Sequence, residues 1–209
     1  MNTRERVCWM ILLAGLSAGC AGVRTGFFSR PFTGEPARGP GPSTAFERDR
    51  MLDIRLPGLA MKVDLLNSWQ LSDSTWFGIG VPLFPLRVKR GAPPAAASNG
   101  TVRIELQALQ PGIEVDAARL VLSVDGANSR PSSFQAYVWT TGRWDSVTTE
   151  APLELAVGRS YRFELRYPVP RPLPDRDIQL ELNEAVRAPG RERLPAIRFE
   201  KKKYREYYG

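Results

Sequence analysis

The sequence predicts an all-β protein, an antiparallel β-sandwich of about eight to ten strands. Three observations carry that expectation. Beyond residue 50 apolar and polar residues alternate with period two, turn-forming residues separate the alternating segments, and no stretch sustains a helical apolar stripe over three turns.

The segments read in order as follows. Leu52 to Leu56 and Met61 to Leu65 alternate, and so do Val102, Ile104, Leu106 and Ala108 against Arg103, Glu105 and Gln107. Between them, Val81 to Val88 is apolar but interrupted by Pro82 and Pro85, which fits an edge or bulged strand because proline cannot donate to a ladder. Ala118 to Val124 and Phe134 to Val138 follow. Tyr161, Phe163, Leu165 and Tyr167 alternate with Arg162, Glu164 and Arg166, then Ile178, Leu180 and Leu182 with Gln179, Glu181 and Asn183, and the pattern closes with Ile197 to Lys201. Asp125-Gly126, Thr141-Gly142 and Val157-Gly158 supply turns, and GAPPAAASNG and PVPRPLPDR supply longer loops.

Leu155-Ala156-Val157-Gly158-Arg159-Ser160-Tyr161 resembles the tyrosine corner of immunoglobulin-like and fibronectin-type sandwiches, in which a Tyr opening a late strand hydrogen-bonds back to the preceding turn. The resemblance implies an immunoglobulin-like sandwich. The Cys-Trp-Cys spacing of a true immunoglobulin domain is missing.

Composition narrows the chemistry. The 209 residues include 29 Lys plus Arg, 22 Asp plus Glu, two Cys and no His, which removes histidine-based nucleophilic triads and His-ligated zinc from consideration. S-x-x-K, Walker A and G-x-G-x-x-G patterns are absent from the sequence. Gly15-Leu16-Ser17-Ala18-Gly19 matches the G-x-S-x-G elbow as text, but it lies in a leader-like segment with no histidine to activate the serine. The expectation is a protein that is not an enzyme, with no catalytic residues, no metal site and no cofactor. Asp73 and the run Asp175-Arg176-Asp177 read as solvated ion pairs.

The leader itself is specific. Arg4, Glu5 and Arg6 precede an uncharged apolar run from Val7 to Leu16, about ten residues, which is too short to span a bilayer and the right length for a signal peptide. It ends in Leu16-Ser17-Ala18-Gly19-Cys20, which resembles the lipobox of bacterial lipoproteins. That resemblance implies cleavage before Cys20, acylation of its thiol and new amino group, and, with Ala21 in place of an inner-membrane retention aspartate, an outer-membrane location with a periplasmic domain. The other reading is an ordinary secretory signal cut near Ala18, with Cys20 a spare thiol. On either reading the exported domain lacks an intramolecular disulfide and relies on its core.

The organisation expected is therefore a signal peptide at 1–19, a lipidated N-terminus and Pro/Gly-rich tether at 20–49, a sandwich at 50–200 and a basic, aromatic tail at 201–209. In the tether, PFTGEPARGPGPS from Pro31 to Ser43 has no apolar periodicity. Its alternative is that Phe27, Phe28 and Phe32 dock back on the domain or on the membrane surface.

Two sets of residues stand out as contact candidates. A two-residue loop at Thr141-Gly142 would place Trp139 opposite Trp144 with Tyr137 on the same face, and Phe134, Ala136, Val138 and Val147 on the other. Tyr137, Trp139 and Trp144 then form either an exposed platform for a ligand, including a glycan, or a packed cluster under a neighbouring loop. Lys201, Lys202, Lys203 and Arg205 suit an anionic surface, such as lipid headgroups or an acidic partner, or else a solvated tail. Trp69, Trp76 and Phe77, around the polar turn Ser72-Asp73-Ser74-Thr75, and Phe84 read mainly as core. The partners expected are the membrane through acylated Cys20, another envelope protein, and as an alternative a peptidoglycan or surface glycan. Export argues against nucleic acid.

Overall fold

A computed structural model describes residues 18–34, 50–56, 58–79, 82–91, 99–138, 142–146, 152–182, 184–187, 189 and 194–208. In chain order its strands are β1 (Ala18–Phe32), β2 (Met51–Leu56), β3 (Leu59–Leu65), β4 (Trp69–Ile79), β5 (Pro82–Arg90), β6 (Asn99–Ala108), β7 (Glu114–Val115), β8 (Val121–Val124), β9 (Ala127–Ser129), β10 (Ser133–Val138), β11 (Arg143–Ser146), β12 (Leu153–Glu154), β13 (Ser160–Pro170), β14 (Ile178–Glu181), β15 (Val186–Arg187) and β16 (Ile197–Tyr208). Nine are six residues or longer. A 3-10 turn at Ala117–Arg119, capped by the Asp116 carboxylate accepting from the Ala118 N–H, replaces the first residues of the strand expected at Ala118 to Val124.

The strands form an antiparallel, sandwich-like all-β fold. One sheet has seven strands in the order β5-β4-β1-β16-β14-β8-β9, a second has six in the order β11-β10-β13-β6-β3-β2, and a small third one joins β12-β7-β15. Alternation explains the register of the six-stranded sheet. Leu59, Met61, Val63 and Leu65 of β3 lie beside Ala108, Leu106, Ile104 and Val102 of β6, which in turn face Tyr161, Phe163 and Leu165 of β13. Apart from half-buried Tyr161, all of these are buried, and they pack with Leu122, Ile178, Leu180, Ile197 and Phe199 of the seven-stranded sheet into one core. Phe134 stacks on Phe163 with ring centroids 4.9 Å apart. The hairpin between β8 and β9 turns through Asp125 and Gly126, both at positive φ, as a tight two-residue connection requires. The Ala156 N–H donates to the Tyr161 hydroxyl at 3.0 Å, so this tyrosine does bond back to the preceding turn.

The ends of the chain differ from expectation. Residues 20–32, assigned above to a tether, form most of β1, which lies inside the seven-stranded sheet between β4 and β16; residues 35–49 lie outside the described residues. Residues 201–208, assigned to a tail, continue β16 and pair with β1 from Gly22↔Tyr208 to Ser29↔Lys201. Of the three phenylalanines, Phe28 is buried against Tyr204, with centroids 6.3 Å apart, and Phe27 lies 6.1 Å from Trp69. Docking is therefore the outcome for Phe27 and Phe28. Both strands escape a period-two reading because the buried parity changes along them: Ile197 and Phe199 are buried, then Tyr204. Glycine fills the remaining positions. A Cβ on Gly22 would fall on the Tyr208 ring, and one on Gly26 on the Tyr204 ring and the Trp69 carbonyl. Each tyrosine thus lies across a cross-strand glycine.

Residues 72–75 are not a turn. They run through the middle of β4, with Thr25 and Ser72 hydroxyls 2.7 Å apart. Their polar side chains match a polar neighbour, which apolar alternation cannot reveal. β5 is an edge strand with register shifts against β4, in keeping with its prolines. The side chains of Trp76, Phe77 and Phe84, and the residues Trp139, Val147 and 1–17, lie outside what is described.

A buried polar clip holds β1 to the body. Asn67 is fully buried; its amide donates to the Ser29 hydroxyl at 2.7 Å and the Pro172 carbonyl at 3.1 Å, while its oxygen accepts from the Ser29 N–H at 3.2 Å.

Candidate functional site, the outer face of the six-stranded sheet

Residues that alternate away from the core place a charged surface on the outside of β13, β6, β3 and β2. The register fixes its pattern: Arg162 faces Glu105, which faces Lys62, which faces Asp53, while in the adjacent row Glu164 faces Arg103, which faces Asp64. Signs alternate along each row and between rows. Arg162–Glu105 and Arg103–Glu164 both close to 3.1 Å, Arg166 joins Glu164 at 3.1 Å, and Arg50 lies 3.5 Å from Asp64. Asp64 and Glu164 are the most enclosed of these groups, at 3 % and 9 % exposure. Two shallow adjoining grooves open on this surface, of about 230 and 180 Å³, and they share Lys62 and Glu105.

The rows end on the aromatic hairpin. Here the register differs from expectation: Tyr137, not Trp139, lies opposite Trp144, because Val138 pairs with Arg143 and the connection is four residues long, with Gly142 at positive φ. Trp139 falls in that connection, outside the described residues. Phe134 on the opposite face is buried and Ala136 packs against the core, so Tyr137 and Trp144 are on the outward face, each half-buried. Their rings meet edge to face at 5.3 Å and 65°. The Arg103 guanidinium lies 5.5 Å from the Trp144 ring centre and that of Arg162 lies 5.9 Å from Tyr137, so the charged rows and the aromatic pair are one contiguous surface. β11, which carries Trp144, is an edge strand of the sheet.

The basic candidates of the C-terminal strand are elsewhere. Lys201, Lys203 and Arg205 are exposed on β16, Lys201 lies 4.5 Å over the Phe27 ring, and Lys202 is half-buried on the other face opposite Phe28. The structure does not bring them to Tyr137 and Trp144. Asp73 accepts a hydrogen bond from the Tyr208 hydroxyl and lies 3.9 Å from Arg24, while Asp125 takes Arg176 at 3.0 Å. Each of those two carboxylates is already matched to an arginine. Among the described residues no group of three or more Asp, Glu or Cys could hold a metal ion, and no helix is long and apolar enough to cross a membrane.

The sequence reading missed the arginines. Arg103 and Arg162 looked like the polar phase of two strands, and only the cross-strand register shows that they reach the aromatic pair. No family model, curated protein or solved structure matches this chain.

Proposed function

We propose that this chain is a non-catalytic, lipid-anchored envelope protein that binds another envelope protein through the outer face of its six-stranded sheet. The observation that carries the binding reading is the Tyr137–Trp144 pair flanked by Arg103 and Arg162 on an edge hairpin. Trp, Tyr and Arg are the residues that most often dominate protein–protein interfaces, and a strand edge beside them that has no neighbour among the described residues offers main-chain hydrogen bonds to an incoming segment. The neighbouring charges are paired with one another, so a partner meets a surface whose charges are already held in place. The anchor reading rests on Leu16-Ser17-Ala18-Gly19-Cys20 and implies attachment of Cys20 to the outer membrane.

Glycan binding is the weaker reading on the same residues. A sugar platform needs aromatic faces open for stacking, whereas here the two rings meet at 65° and each has a guanidinium nearby.

Co-purification of the full chain from membranes tests the assignment. Trp144→Ala and Arg162→Glu are expected to remove a stoichiometric protein partner, with at least a ~30-fold loss of affinity for the tryptophan change, which corresponds to about 2 kcal/mol. Sedimentation with purified peptidoglycan that depends on Trp144, with no protein partner lost, would replace this reading by the glycan one. Mass spectrometry of the Cys20 peptide checks the anchor separately.

A further inference from the structure

We propose that the end of the seven-stranded sheet that carries Cys20 is a rim seated in the surface of an anionic lipid bilayer, with the strands of β5, β4, β1 and β16 rising from it. The orientation rests on the reading of Cys20 as an acylated anchor; the seating itself is argued from the register.

The rim is the outermost level of three paired strands, β5, β4 and β1, and β16 joins them two residues further in, at Gly22↔Tyr208. Cys20 lies opposite Phe77 of β4, which lies opposite Phe84 of β5. The described strand residues at this level, Trp76-Phe77-Gly78-Ile79 and Pro82-Leu83-Phe84-Pro85-Leu86, contain no charge and no polar side chain other than the indole N–H. Three residues further along β1 and β4, past the level of Arg87, Thr75, Gly22 and Tyr208, the residues Val88, Ser74, Val23 and Tyr207 form a continuous row across the four strands. Tyr207 and Val88 are 64 % and 59 % exposed, so this row, with half-buried Val23 and Ser74 between them, presents an open tyrosine and an open valine at its two ends. Two residues further on the same face, about 7 Å at the usual strand rise, the corresponding row is Arg90, Ser72, Thr25 and Arg205, with Arg90 and Arg205 exposed. Lys203 and Lys201 continue the exposed side of β16 beyond it.

On the face that carries Tyr207 the order from the tip is the uncharged level of Ala21, Trp76 and Pro85, then an exposed tyrosine, then cations, which is the order that a lipid interface selects with increasing distance from the hydrocarbon. The aromatic ring suits the headgroup boundary, and Lys and Arg suit the anionic phosphates above it. An acyl chain on Cys20 would leave the sheet at the apolar level. Because β1 is already strand at that residue, the domain would stand on the bilayer rather than hang from a long stalk.

Single cysteines carrying an environment-sensitive dye test this in the full chain, purified from bacterial membranes and reconstituted in vesicles of phosphatidylglycerol and phosphatidylethanolamine. Leu83→Cys reports the rim, Tyr207→Cys the next row, and Asn128→Cys the opposite edge of the sheet. The expected result is a blue-shifted emission quenched by brominated acyl chains at 83, a smaller shift at 207 and none at 128. Position 207 is exposed, so it reports even if β5 does not accept a dye. Emission at both 83 and 207 that matches 128 overturns the proposal, and so does a shift seen only in native membranes, which would mean that a protein covers the rim. Dye uptake and an unmodified mass at Cys20 in the chain with no added cysteine would remove the anchor alone. The difference between 83 and 128, measured again with Cys20→Ser, then decides the rim by itself.

Discussion

Around Ile197 and Phe199 of β16 the seven-stranded sheet is held to the six-stranded one by apolar side chains in one shared core, whereas further along the same strand, around Tyr204 and Phe28, it is held by glycine–tyrosine pairs, a polar clip and ion pairs. The first region is what burial of alternating side chains produces. The second is a long ribbon with one aromatic cluster, where each buried polar atom and each missing Cβ matters because little apolar area backs it up. A continuous sheet can therefore have two mechanical characters along the length of one strand.

The largest separation between the regions comes from Phe163→Ala, expected to cost roughly 3–5 kcal/mol and to lower the stability of the whole chain in urea unfolding. Asn67→Leu is expected to cost about 3 kcal/mol, since it leaves the Ser29 N–H and the Pro172 carbonyl buried without partners. Hydrogen exchange should show that loss concentrated in β1, with β6 and β13 still protected; equal loss in all three would mean that the ribbon and the core unfold as one unit. Gly26→Ala is expected to cost about 1–3 kcal/mol, and trimming Tyr204 should not rescue it because the Trp69 carbonyl also blocks the site. For Gly22→Ala the nearest atoms to the new methyl are all in the Tyr208 ring, so Tyr208→Ala should absorb much of its cost, a coupling that a double-mutant cycle reads directly.

The smallest effect distinguishes the buried tyrosines. Burial pushes the Tyr167 hydroxyl far above the ordinary tyrosine value near 10, and that hydroxyl has no hydrogen-bond partner among the described residues. Burial also raises Tyr204, partly offset by the charge of Arg24. Below pH 10 both states keep the proton and the groups contribute nothing to pH dependence. Above it the unfolded chain ionises while the folded one does not, so stability falls as pH rises, by up to about 1.4 kcal/mol per pH unit for Tyr167. Tyr167→Phe should reduce that alkaline slope and be neutral or stabilising by up to about 1 kcal/mol at pH 7, measured by denaturation at both pH values.

The sandwich was legible in the sequence because β3, β6, β13 and β14 each bury one clean face. The ribbon was not, and the reasons are local. Gly22 and Gly26 give no apolar signal although they are packing positions, the Ser72 to Thr75 stretch is polar on both phases, and β16 changes its buried parity between Phe199 and Tyr204. The candidate surface was half legible. Its aromatic members Tyr137 and Trp144 stand out by composition, but which one faces the other depends on a four-residue connection, and the contribution of Arg103 and Arg162 depends on pairings between strands about 60 residues apart.

The pairing of residues 22–32 with 198–208 sets an order of assembly. β1 is synthesised before every other described strand and waits for β16, the last of them, so among the described pairings this one closes last and at the greatest loop-closure distance. Until then β1 and β14 are open edges, able to recruit a strand from another molecule. A chain lacking β16 would keep those edges permanently, and its characteristic defect would be self-association rather than simple loss of stability.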